Sequence, residues 1–222
     1  VGTIIQKAID VNTVLGVIEI TETEEQYLKD ISLSNDEMHR LHSIKLPLRR
    51  LQWLSYRVLI KQLIGEYKYK GISYNKYGKP ILNELPHYIS VAHTGNYSAA
   101  IVSKNSSAGI DIEPIGDKIL RVESKFLSSN EIACLPSTDR SKTLHIIWGV
   151  KEAIYKSYGE GELIFAEDIG VNPFIAADKG ELEGFLNLKG KKTEYFRAFY
   201  EIIKGMVLVY VMPKTYSEHW NF

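Results

Sequence analysis

The sequence predicts an α+β fold rather than a chain of regular βαβ units. Three observations carry this. β-branched segments cluster on both sides of the middle of the chain, helical periodicity is confined to a few stretches, and the elements come in blocks: strand, helices, strands, then helices and strands again. A polar stretch, "KNSS" at Lys104 to Ser107, lies between the blocks and divides the chain into residues 1–105 and 106–222, parts of similar size. No repeat is readable between the two parts.

The elements follow in order. Asp10 to Ile20, "DVNTVLGVIEI", is rich in β-branched residues and reads as a strand. "TETEEQYLKDI" then reads as a short helix with acids in its first turn. Ser34 and Glu37 have capping-box spacing and mark a second helix start. Pro47 and Gly65 bracket a third helix, with Leu51, Leu54 and Val58 at helical spacing between them. From Ile72 onward come short segments, "GISYNKYGKP", "HYISVAH" and "NYSAAIVS", separated by turn residues such as Gly95 and Asn96, which predict antiparallel sheet. Ser128 and Glu131 form another capping box, and "TLHIIWGVKEAIYKSYG" is a long helix ended by Gly159. "TEYFRAFYEIIKGMVLVYVM" alternates as two strands joined near Lys204 and Gly205, with Val207 to Val211 as core.

At 222 residues and 45% hydrophobic content the chain is long enough to bury a substantial core. Lys+Arg and Asp+Glu both number 27, so no overall field favours nucleic acid or a membrane surface, and any polyanion site is local. The single cysteine, Cys134, leaves no intramolecular disulfide framework and suits a reducing compartment. No apolar run reaches membrane-spanning length and the start lacks a secretory layout, so the expected location is the cytoplasm.

The stretch "SAGIDIEP", Ser107 to Pro114, places Asp111 and Glu113 at alternate positions, with Ile110 and Ile112 between. In an extended chain both acids share one face. A half-exposed strand with its polar side in water explains that pattern; so does a hard-cation site, where a divalent ion offsets the repulsion of the pair. Glu152 and Lys156, four apart on the long helix, supply a third carboxylate and a cation, or else form an exposed ion pair.

"GIDIE", "FLSSNE" and "WGVKEAIYK", together with "GKP" at Gly78 to Pro80, "VAHTG" at Val91 to Gly95 and "RRLQWLSYRVLIK" at Arg49 to Lys61, resemble in type and order the motifs of the 4′-phosphopantetheinyl transferases, specifically the two-lobed surfactin-type class. The resemblance implies a pseudo-dimer of two similar α+β halves, each an antiparallel sheet packed with helices, with coenzyme A in the cleft between them. It implies transfer of the phosphopantetheine arm of coenzyme A to a serine of an acyl or peptidyl carrier protein, with release of 3′,5′-ADP, by a cytoplasmic monomer without nucleic-acid or membrane partners. By position, Asp111, Glu113 and Glu152 match the family's Mg²⁺ ligands, with Mn²⁺ as an alternative ion, and Lys156 matches its lysine near the pyrophosphate. The proton acceptor for the serine is Glu152 or a metal-bound water. Lys79 and His93 match contacts to the phosphates of coenzyme A. Arg50, Arg57 and Lys61, at i, i+7 and i+11, align on one helix face and offer a basic stripe for the nucleotide phosphate or an acidic carrier.

Trp53 and Trp148 are expected to pack rather than stack on a ligand, and capping accounts for Glu131. Two positions depart from the family pattern: Ala92 stands where a serine precedes the motif histidine, and Gly149 where Ser, Cys or Thr follows the helix tryptophan. Two other functions compete. One is a paralogue that binds coenzyme A or a carrier with weakened catalysis. The other is a Mg²⁺ phosphohydrolase using water, which leaves "GKP" and "VAHTG" unexplained.

Overall fold

The structure, a computed structural model, describes residues 2–214, and the chain separates into two units between Ser106 and Ser107. The N-terminal unit runs β1 (Gly2–Ala8), β2 (Thr13–Glu19), α1 (Glu24–Asp30), α2 (Asn35–Ser43), α3 (Pro47–Ile64), β3 (Ile72–Tyr74), β4 (Pro80–Leu82), β5 (Tyr88–Thr94) and β6 (Tyr97–Ser103). Its main sheet is antiparallel in the order β1-β2-β6-β5, with β3 and β4 as a separate ribbon. Thr23 and Ser34 both close capping boxes, so the first-turn N–H groups of α1 and α2 find partners where the sequence leaves the strand pattern. The helix α3 lies against β6 and β2, burying Leu54, Val58, Leu59 and Ile60 with Ile18, Ala100 and Val102.

The C-terminal unit runs β7 (Gly109–Pro114), α4 (Ser129–Ala133), α5 (Arg140–Tyr158), α6 (Phe165–Asp168), β8 (Ile169–Val171), β9 (Lys179–Leu186), β10 (Glu194–Ile203) and β11 (Met206–Pro213). Its sheet is antiparallel in the order β7-β11-β10-β9-β8, which puts β7 at an edge. The β10–β11 turn has Lys204 at φ 50° and Gly205 at φ 77°, two successive positive values that match the strands' right-handed twist. The helix α5 packs on β7 and β11, and Ile146, Val150, Ala153 and Ile154 join Phe196, Ala198 and Val209 in the core.

The fold is therefore α+β, and each unit is an antiparallel sheet with one long helix laid along it. The two share a further device. In the N-terminal unit, Glu37 of the Ser34 capping box also accepts from Arg57 Nε on α3 (3.3 Å) and from the Ile72 N–H of β3 (3.1 Å). In the C-terminal unit, Glu131 of the Ser128 box accepts from Lys151 Nζ on α5 (2.8 Å) and from the Val171 N–H of β8 (3.0 Å). In both units the cation follows the glutamate by 20 residues. A sparse internal repeat thus exists where none was read from the letters: Ser-x-x-Glu, then a cation on the long helix.

Three strands had no assignment in the sequence. The strand β1 is an edge strand with mostly exposed side chains, and β8 has three residues. The strand β9, "KGELEGFL", buries only alternate positions from Leu182 on and carries two glycines, which weakens its signal. No helix among the described residues is long and apolar enough to cross a membrane.

Candidate active site

Asp111 and Glu113 share one face of β7, as the alternation requires, but that face is not in water. The helix α5 covers it. Gly109 begins the strand because nothing larger fits: a Cβ there would lie 1.8 Å from the Ala153 carbonyl oxygen of α5. This close approach brings the acids onto the helix. Asp111 is 4% exposed, and its Oδ1 accepts from Lys156 Nζ at 2.6 Å. Lys156 Nζ also donates to the Ile110 carbonyl at 3.2 Å. On the opposite face of the sheet, Ile110 and Ile112 are buried together with Leu208 and Tyr210.

Glu113 and Glu152 are half-buried beside this pair. Burial, and then the charge of Asp111, push the Glu113 carboxyl up to about 7; Lys156 opposes the shift and Glu152 adds to it. Burial also raises Glu152, opposed by Lys156 and reinforced by Asp111. Three carboxylates therefore feel one another around a single ammonium. Among the described residues no three acidic, imidazole or thiol groups stand as a ready-made cation cage; the ammonium of Lys156 sits against Asp111 Oδ1. The other oxygen, Oδ2, is buried without a hydrogen-bond partner. A buried carboxylate oxygen with no donor is costly, and a hard cation is a fitting partner for it. The donor set fits a divalent ion.

Gly149 bears on the same oxygen. A Cβ at 149 would lie 3.8 Å from Asp111 Oδ2, so a serine there would carry its hydroxyl toward the oxygen that lacks a donor. The same Cβ would meet Val209 Cγ2 at 2.7 Å. With glycine, Val209 fills the space and the donor is missing.

Beside Glu152 opens a recess of about 600 Å³ lined by Phe126, Trp148, Tyr155, Ile164 and Phe165. Trp148 packs between Phe126 and Phe165, with centroids at 5.1 and 5.4 Å, and Phe165 meets Tyr155 at 5.7 Å. Trp148 is a packing residue as well as a wall of this recess. Helical spacing relates Trp148 to Tyr155, but only the folded chain brings in Phe126 and Phe165.

The candidates in the N-terminal unit are dispersed. His93 lies on β5, with Arg49 Nη1 3.1 Å from Nδ1 and 3.3 Å from Nε2. Arg49 was not singled out from the sequence as a site residue, and only the pairing of α3 with β5 reveals it. Lys79 closes the β3–β4 turn, its N–H donating to Asn75 Oδ1 at 2.9 Å. Arg50 is partly exposed and pairs with Glu24 at 2.8 Å. Ala92 is buried.

Arg57 requires a correction. Its side chain is 0% exposed, pairs with Glu37, lies 3.3 Å over the Trp53 ring and donates to Tyr74 Oη at 3.1 Å. A guanidinium so enclosed cannot reach a ligand phosphate; it holds α3 to α2 and β3. The basic stripe dissolves with it, since Lys61 is taken up by the Asp30 carbonyl at 2.6 Å and by Glu66 at 2.8 Å. Glu131 also does more than cap α4, through its bonds to Lys151 and Val171.

With this geometry in view, residues 107–201 match the family described as the 4′-phosphopantetheinyl transferase superfamily. The chain is 29% identical over 121 residues to the 4′-phosphopantetheinyl transferase gsp of Aneurinibacillus migulanus, covering 53% of this chain and 48% of that one. It is 27% identical over 113 residues to the 4′-phosphopantetheinyl transferase ffp of Bacillus subtilis, covering 47% and 50%. It is 28% identical over 93 residues to the 4′-phosphopantetheinyl transferase Sfp of Bacillus subtilis strain 168, covering 40% and 41%. The aligned part spans about half the length of these relatives or less. They support the resemblance to the surfactin-type class.

Proposed function

We propose that this chain, whose C-terminal unit has the sequence pattern of the 4′-phosphopantetheinyl transferase superfamily, moves the phosphopantetheine arm of coenzyme A onto a serine of an acyl or peptidyl carrier protein and releases 3′,5′-ADP. It does so as a cytoplasmic monomer. The observation that carries this reading is the convergence of Asp111, Glu113 and Glu152 on Lys156, with Asp111 Oδ2 left without a donor.

The serine Oγ attacks the phosphorus that bears the pantetheine arm. The bond from that phosphorus to the bridging oxygen breaks, and the bridging oxygen departs on 3′,5′-ADP. The serine proton passes to the Glu152 carboxylate or to a water beside it. Lys156 stands over the acids and meets the charge that develops on the departing phosphate. Asp111, Glu113 and Glu152 would hold Mg²⁺ or Mn²⁺, which supplies charge neutralisation for the pyrophosphate. The aromatic recess beside Glu152 gives the pantetheine arm an apolar wall. Arg50, Lys79 and His93 are assigned to the phosphates of coenzyme A by their places in the motifs alone.

The test is the intact mass of an apo carrier protein after incubation with the protein, coenzyme A and Mg²⁺, beside an EDTA control. The expected result is a gain of about 340 Da that disappears with EDTA. Binding of coenzyme A with no mass gain across several carriers would refute transfer and point to the non-catalytic paralogue.

A further inference from the structure

Lys151 precedes Glu152 on α5 and turns the other way, about 100° round the helix, into the protein. Its ammonium is 0% exposed and lies 2.6 Å from the Ile169 carbonyl, 2.7 Å from that of Phe126, 2.9 Å from that of Phe165 and 2.8 Å from Glu131 Oε2. Three N–H groups are shared among four acceptors from two stretches of chain, residues 126–131 and 165–169. Two of those acceptors are the backbones of Phe126 and Phe165, the residues whose rings flank Trp148 and wall the recess. Glu131 is itself fixed, accepting from Ser128 N at 2.7 Å and Oγ at 3.0 Å through Oε2 and from Val171 N through Oε1.

We propose that Lys151 is a positioning residue: one buried ammonium fixes the separation of the Phe126 and Phe165 walls, and so sets the recess to the width of the pantetheine arm. This rests on the transferase reading above. Buried ion pairs are poor sources of net stability compared with apolar packing, but they specify geometry where several acceptors must converge on one point. Arg57 makes the equivalent pair with Glu37 in the N-terminal unit, and its other partners are the Trp53 carbonyl and the hydroxyls of Tyr56 and Tyr74. The shared device gives the tie to the helix cap, and the two phenylalanine carbonyls are what Lys151 adds.

Lys151→Met alone strands the Glu131 carboxylate and risks unfolding, so the informative variant is Lys151→Met/Glu131→Gln, which removes both charges and keeps an acceptor for the Ser128 cap. The ligands are coenzyme A and 3′,5′-ADP, which has the nucleotide end but no arm. Affinities are measured by calorimetry, and KM and kcat with an apo carrier. The double variant should bind 3′,5′-ADP within about twofold of wild type while coenzyme A binds about tenfold more weakly and its KM rises more than kcat falls. Three outcomes overturn the proposal: equal weakening of both ligands, no change in either, or a double variant that does not fold, since Lys151 then holds the fold and not the recess. A wild-type protein that transfers nothing to any carrier refutes the transferase reading itself, a result read before any variant is made.

Discussion

Replacing Gly109 with alanine tests whether the acids are presented to α5 by direct backbone contact. The added Cβ would sit 1.8 Å from the Ala153 oxygen and 2.6 Å from its carbonyl carbon, against an ordinary contact of 3.4 Å or more. The obstacle is helix backbone, so no rotamer change relieves it. The strand and α5 must part by about 1.5 Å, at the upper end of overpacking costs, about 3 kcal/mol. For a chain of this length that is a fall of about 6–12 °C in melting temperature. The separation also stretches the 2.6 Å contact between Lys156 and Asp111, so transfer should fall by about 100-fold even at temperatures where the variant is folded. The assay is a melt followed by circular dichroism, with single-turnover transfer to an apo carrier at 20 °C below the midpoint. A variant with wild-type melting and wild-type transfer would refute the claim that glycine is needed there for the approach of the helix.

Other consequences follow from the same geometry. Glu152→Ala should keep the fold and lose transfer by about 10² to 10⁴-fold, measured by intact mass, because it removes a proton acceptor and a candidate metal ligand together. In EDTA, the Glu113 carboxyl holds its proton up to about pH 7 in the fold but only to 4.5 when unfolded, so the folded state binds more protons between those values. The stability from this group is therefore full below 4.5 and lost as pH rises through 7; denaturant midpoints at pH 5 and 8 should show the fall, and Glu113→Gln should flatten it. Arg57→Ala leaves Glu37 buried without its cation and should cost about 3–5 kcal/mol, read as a lower midpoint for the N-terminal unit. Gly149→Ser adds a donor near Asp111 Oδ2 at the expense of crowding Val209; a weaker response of the melting temperature to Mg²⁺ than in wild type would show the hydroxyl replacing part of what the ion does.

Much of the fold was legible because its signals are local. Both capping boxes, the Pro47 helix start, the Lys204-Gly205 turn and the alternation of β5, β6, β7, β10 and β11 each sit within a few residues of sequence. The acid pair and the Glu152–Lys156 spacing were legible for the same reason. What they face was not. Whether β7 turns its acids to water or to a helix is decided by the Gly109–Ala153 contact, between residues far apart in the chain. Arg57 was misread because helical spacing shows which residues share a face and not what covers that face; Glu37, Trp53 and Tyr74 enclose it only after α2, α3 and β3 assemble. The recess escaped notice because two of its four rings, Phe126 and Phe165, come from segments on either side of α5.

The relation between the units explains why one carries reactive groups where the other carries core. Both tie a long helix to the cap of a short one through glutamate and a cation 20 residues later. In α3 the residue after that cation is Val58, buried in the N-terminal core; in α5 it is Glu152, beside Asp111 and Glu113. The substitution of acid for valine at the same step from the clamp turns a packing position into a charged one. Its carboxyl is held up by burial and by Asp111, so the C-terminal unit loses stability at neutral pH for having it there. A divalent ion bound to the three carboxylates reverses the sign of that interaction. The measurement is the melting temperature of the C-terminal unit at pH 8 with increasing Mg²⁺: wild type should rise with the logarithm of concentration, and Glu152→Ala should respond much less. Equal responses in the two proteins would remove Glu152 from the cation site.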